Sequence, residues 1–328
     1  MYRILVLLIS LLVFGCQQNR ERRPDVSQIS IDVEVKRLEH DLFGISSKED
    51  LYEFLNSNKV LKEQFFYADQ YPHDSILVNT LYNLINDPHI DTLYQETQAT
   101  FGDLSDLEAQ FAEAFRYIKY YYPDFQVPEI QTIVTGFGRD MYISDSVIIV
   151  GLDYYIGKGA TYRPIDIPQY ILRRYEKEYI VPSYVLLLSS KYNKINVEDH
   201  TMLADMIFYG KAYYFASQIL PDAPDSILIG YESTSIKDVN ENQQIVWAHF
   251  VENELLYETS HFVKKKYLEE RPKTLEIGNK APGRIGVWLG WEIVKQYMRN
   301  HPEERLPDLM ETKDAQQIFM KSRYKPIL

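Results

Sequence analysis

Met202–Phe215 reads MLADMIFYGKAYYF. A surface helix normally carries one apolar stripe and one polar face. From Thr201 to Leu220 the apolar residues run nearly all round instead. That pattern predicts a helix enclosed on every side, at the centre of a mostly helical fold. Lys211 stands out within it, because a buried ammonium must pair or reach water. Asp205, six residues away, falls on a different face and is not the obvious partner. Lys211 therefore has two open placements: reaching outward past Tyr209 or Tyr213, or lining a cleft.

N-terminal to this helix the period changes. Ile130–Thr135 (IQTIVT) and Val147–Leu152 (VIIVGL) are short apolar runs that predict buried strands. Gly136, Gly138, Ser144 and Asp145 mark turns between them. Gly136-Phe137-Gly138-Arg139 lacks the third glycine and the lysine-serine end of a phosphate loop, and reads as a hairpin turn. Ile29, Ile31, Val33 and Val35 alternate with polar residues, as in a half-buried strand.

The rest is helical in pattern. Ser47-Lys48-Glu49-Asp50 opens a segment with Leu51, Phe54 and Leu55 on one face, and Asp74–Asn86 forms another. Ser105-Asp106-Leu107-Glu108 has the form of a capping box, ahead of a helix that Pro123 stops. Ile236–Asn253 and Arg284–Asn300 read as long amphipathic helices, and Asp314–Arg323 as a short final one. The fold class expected is α+β, predominantly helical, with a small central sheet packed by helices on one side.

Arg284–Asn300 divides on a helical wheel. Gly286, Leu289, Gly290, Ile293, Val294 and Tyr297 gather on a core face whose glycines admit a close neighbour. Pro282 is placed for the first helical position. Arg284, Trp288, Trp291 and Lys295 fall on the opposite side. Tryptophan and arginine dominate interface hot spots, so these four are candidates for binding a partner. The alternative packs them under Ile318–Leu328, with cation–π contacts to Arg284 or Arg323.

The N-terminus explains the lone cysteine. Arg3 precedes an apolar run, Ile4–Phe14, too short to span a bilayer as a permanent helix. The run ends Leu12-Val13-Phe14-Gly15-Cys16, which resembles the lipobox of bacterial lipoproteins. On that reading residues 1–15 are a signal peptide and Cys16 is the site of lipid attachment. Residues 16–25 are a polar tether, and residues 26–328 a single globular domain. One cysteine allows no intramolecular disulfide, so stability rests on the core.

A net charge of -12 argues against nucleic acid as a partner and against broad adhesion to anionic lipid. None of the seven histidines forms H-E-x-x-H, and no two lie four apart. Asp199-His200 with Asp205 reads as a polar helix start rather than a metal cluster. The pairs Asp124/Glu129 and Asp140/Asp145 are ordinary in so acidic a chain. There is no G-x-S-x-G elbow and no Cys/His pair. No catalytic residue, metal site or cofactor is expected.

Several blocks carry a resemblance. They include RRYEKEYIVP (173–182), MIFYGKAYYF (206–215), PDSILIGY (224–231), VWAHFVENELL (246–256), APGRIGVWLGWEIVKQY (281–297) and IFMKSRYKP (318–326). With the lipobox they resemble the gliding-motility-associated lipoprotein B family of Bacteroidota, over most of the mature chain. The resemblance implies a membrane-anchored envelope lipoprotein facing the periplasm. Its implied partners are other proteins of the gliding and type IX secretion machinery, and no established catalysis is implied. It also implies a distant, zincin-like topology, in which a sheet and helices frame an H-E-x-x-H helix that this chain lacks. The alternative expectation is therefore a zincin-like metallohydrolase with unusual ligands, or an inactive derivative. Arg173 and Arg174, within the first block, join Lys211 as candidate cleft residues.

Overall fold

The two longest strands form where the chain is buried on both faces. The computed structural model describes residues 23–326. The expected signal peptide and Cys16 lie outside the described residues. The sheet has four strands: β1 (Val35–Arg37), β2 (Glu129–Ile133), β3 (Met141–Ile143) and β4 (Val147–Gly151). Their order is β1-β2-β4-β3, with β1, β2 and β4 parallel and β3 antiparallel to β4. Helices dominate the remainder, as the α+β expectation has it.

Helices cover both faces of the sheet rather than the single face expected. Ile130, Ile148 and Val150 point into a large cluster that includes the helix Ser105–Tyr121 and most of the chain after residue 180. Ile133, Val147 and Ile149 point the other way, onto Leu38, Leu42, Leu51, Leu55, Leu77 and Leu81. A strand buried on both sides gains nothing from polar alternation, which explains the unbroken VIIVG run.

Other local expectations need correction. The alternation from Ile29 is present as half-buried side chains, but the paired strand begins only at Val35. Gly136–Arg139 is not a hairpin, because β4 separates β2 from β3. The turn there wraps a carboxylate: Asp153 Oδ2 accepts from the amides of Phe137 (2.7 Å) and Thr135 (3.3 Å). Gly136 and Phe137 both adopt positive φ to present them. The capping box does not form. Leu104 is the N-cap, Asp103 bonds both the amide and the hydroxyl of Ser105, and Glu108 accepts the amide of Val35. Ile236–Asn253 breaks at Asn242 into two helices, Ser233–Glu241 and Gln243–Glu252.

The central helix is Met202–Ile219, and Thr201 caps it by accepting the amide of Ala204. Twelve of its eighteen residues are buried, as an all-round apolar surface demands. It is crossed by the helix Ile285–Asn300, buried even more completely. The crossing depends on two glycines. A Cβ on Gly210 would lie 2.4 Å from the carbonyl oxygen of Gly290, and one on Gly290 1.9 Å from that of Met206. Backbone meets backbone there, and no side chain fits between. Of the two glycines on the face read from the wheel, Gly290 makes this contact, while Gly286 packs against Tyr267 and Leu268.

Candidate functional site

The start of the crossing helix is where this apolar arrangement meets charge. Arg284 is its N-cap and holds a left-handed conformation, φ 58°. That costs a non-glycine residue about 1–2 kcal/mol, so surrounding contacts must hold it. They do. Its guanidinium donates to the Tyr213 hydroxyl (2.8 Å) and the Ile229 carbonyl, and pairs through Nε with Glu270 (3.1 Å). Glu270 also takes Arg174, at 2.9 Å, so two guanidiniums share one carboxylate. Arg173 donates to the Gly230 carbonyl (2.6 Å) and pairs with Glu232 (3.3 Å).

Glycines let these segments converge. Gly230, at φ 71°, packs so tightly on Arg174 that a Cβ would fall 2.4 Å from its Cδ. Gly283 passes the backbone of Arg271, with room for no side chain. The loop between is braced from within. Buried Thr274 donates its amide to the Ala281 carbonyl (2.9 Å) and its hydroxyl to the Pro282 carbonyl (2.7 Å). Tyr231 ties in by donating to the Gly283 carbonyl, at 2.7 Å.

Together these segments frame a pocket of about 150 Å³. Six cations line it: Arg173, Arg174, Arg271, Lys273, Lys280 and Arg284. Only Glu232 and Glu270 oppose them on its walls, and Arg271 takes a third carboxylate, Glu276, at 3.1 Å. Among the described residues Lys273 and Lys280 have no carboxylate within ion-pair distance. The pocket thus holds an excess of three positive charges in a chain of net charge -12. The amino end of a sixteen-residue helix adds to the positive potential. Guanidinium forks and ammonium donors suit an oxyanion.

The pocket gathers Arg173, Arg174 and Arg284 from the residues singled out in the sequence, and leaves the others elsewhere. Lys211 lines no part of it, and neither of its expected placements holds. It is buried, and its ammonium donates to the carbonyls of Lys194 (2.7 Å), Thr312 (2.8 Å) and Met310 (3.3 Å). Burial lowers its pKa to about 8, with nearby Glu311 pulling the other way. The ammonium pins the central helix to two other segments.

The four-residue partner patch does not exist as a surface. Trp288 and Trp291 are fully buried, and Arg284 nearly so. Trp291 packs on Tyr213, with ring centroids 5.6 Å apart, and Lys295 lies over it at 4.1 Å. The wheel separated two faces correctly, but both are covered. The C-terminal helix Ala315–Ser322 does pack against this helix, as the alternative expected of that segment, but the cation–π partners differ, since Arg284 lies over Tyr231 and Lys295 over Trp291. Pro282 lies outside the helix, which begins at Ile285.

Sequence reading missed Arg271, Lys273 and Lys280. Their signal was present in Arg271–Arg284, RPKTLEIGNKAPGR, a cation-rich stretch with Pro and Gly, in an acidic chain.

Acidic groups elsewhere are engaged locally. Asp199 accepts from the Thr201 amide and hydroxyl, and Asp205 pairs with Lys264 at 2.6 Å. Asp140 accepts from the Tyr175 hydroxyl and Asp145 pairs with Lys191. Asp153 is fully buried, and burial raises its pKa to about 6 against the pull of the turn amides. Among the described residues no three His, Cys, Asp or Glu side chains are grouped to hold a metal ion. Among those residues, too, no helix is long and apolar enough to cross a membrane.

The family described as gliding motility protein GldB matches residues 19–326. No curated protein and no solved structure matches the chain.

Proposed function

The chain belongs to the gliding motility protein GldB family, and from that membership we propose that it is a lipid-anchored, non-enzymatic component of a cell-envelope motility and secretion machine. The family match over residues 19–326 carries the reading. The lone Cys16 behind a short apolar run supports the anchor. The absence of an H-E-x-x-H motif or nucleophile elbow from the sequence supports a binding role rather than a hydrolytic one. The protein then works by contact, from the periplasmic side of a membrane, with other envelope proteins as partners.

The test is to express the wild type and Cys16→Ser in a bacterial host, label with radioactive palmitate, and purify from membranes. The wild type incorporates label and co-purifies with envelope proteins of the machine, and the variant folds but carries no label. Equal labelling of both chains overturns the anchor. Loss of label with no envelope protein in either eluate overturns the role in a machine.

A further inference from the structure

We propose that the cationic pocket at the start of the helix Ile285–Asn300 binds a phosphate group, as the phosphomonoester or diphosphate end of a larger molecule. This does not depend on the lipoprotein reading.

Charge is the first ground. The cations that brace this fold are engaged, Arg174 and Arg284 by Glu270 and Lys211 by three carbonyls. Here three positive charges remain after Glu232, Glu270 and Glu276 are counted. A carboxylate ligand supplies one negative charge, whereas a phosphomonoester near neutral pH supplies between one and two. An excess of three favours the phosphate.

The second ground is construction. Lys273 and Lys280 sit on opposite limbs of the loop that Thr274 closes, with Lys273 bridged to Pro282 in antiparallel fashion. The loop holds at one pocket two ammonium groups that have no carboxylate partner among the described residues. Below them Arg284 is locked by Tyr213, Ile229 and Glu270, so its charge is fixed in place before any ligand arrives. Fixed donors lose little freedom on binding, which favours affinity.

Size is the third ground. About 150 Å³ is well below the volume usual for whole small-molecule ligands, so the pocket admits a head group and leaves the remainder outside. Lysine and arginine together are the usual donors for such a group.

The full chain, wild type and Lys273→Gln/Lys280→Gln, is titrated calorimetrically with inorganic phosphate, pyrophosphate and short-chain soluble phosphatidate. Sodium chloride of matched ionic strength is the control, because screening alone weakens charge effects. Both lysines are exposed and have no carboxylate partner among the described residues, so the double variant is expected to fold. The wild type binds phosphate or pyrophosphate above the chloride control, and the double variant binds about tenfold more weakly or worse, the loss expected for about 1.4 kcal/mol of charge-assisted contact. Tighter binding of phosphatidate than of inorganic phosphate identifies a lipid head group as the source, and the reverse a soluble phosphate. Binding equal in both proteins, or no larger than chloride, overturns the proposal.

Discussion

In its middle, the helix Ile285–Asn300 touches the backbone of the central helix with nothing between. At its first turn, the same helix faces a pocket lined by six cations. The middle is dry and close-packed, and its charged neighbour Lys211 is turned inward onto three carbonyls. The pocket at its start is lined by charge, and two exposed lysines of the preceding loop have no carboxylate partner among the described residues. One element thus serves stability along its length and recognition at its start. A buried cation can be held by carbonyls alone where nothing needs to enter. On the phosphate proposal, the cations beside the pocket await something that does.

The contrast breaks most easily at the glycines. Gly290→Ala places a methyl on the carbonyl of Met206, so the two helices must separate. A loss of about 5 kcal/mol, or outright failure to fold, is expected in urea unfolding. A variant that unfolds like the wild type would mean that the crossing is loose.

Trp288→Ala comes next. The indole is completely buried, and its removal costs about 3–5 kcal/mol in the same measurement. Unchanged unfolding together with loss of a binding partner would restore the surface patch that the wheel suggested.

Lys211→Met sharpens the comparison between buried and exposed cations. Three carbonyls lose a donor, but a desolvated charge is also removed. A net loss of about 2 kcal/mol is expected by chemical denaturation. A gain in stability would show that desolvation of the ammonium outweighs its contacts.

The middle of the molecule was legible in the sequence for a physical reason. The enclosed helix, its glycine-bearing neighbour and the strands at 130 and 147 each announce burial locally, through a run of apolar residues. The pocket was not legible because four separate segments build it, around residues 173, 231, 271 and 284. No window along the chain contains it. The wheel placed Arg284 with the tryptophans because it sorts residues by angle. Whether a second element covers a given angle is a tertiary fact. The capping box failed for a smaller reason, since Ser105 is engaged by Asp103 and Glu108 by the amide of Val35.

The division along this helix is tested most directly by scanning calorimetry of Lys273→Gln/Lys280→Gln beside Gly290→Ala, each with and without phosphate. The double variant is expected to melt within about 2 °C of the wild type, since exposed charges contribute little to stability. It should also lose the rise in melting temperature that phosphate gives the wild type. Gly290→Ala should melt far lower or show no transition. A double variant that melts as low as Gly290→Ala, or that keeps the full phosphate response, contradicts the separation of stability from recognition.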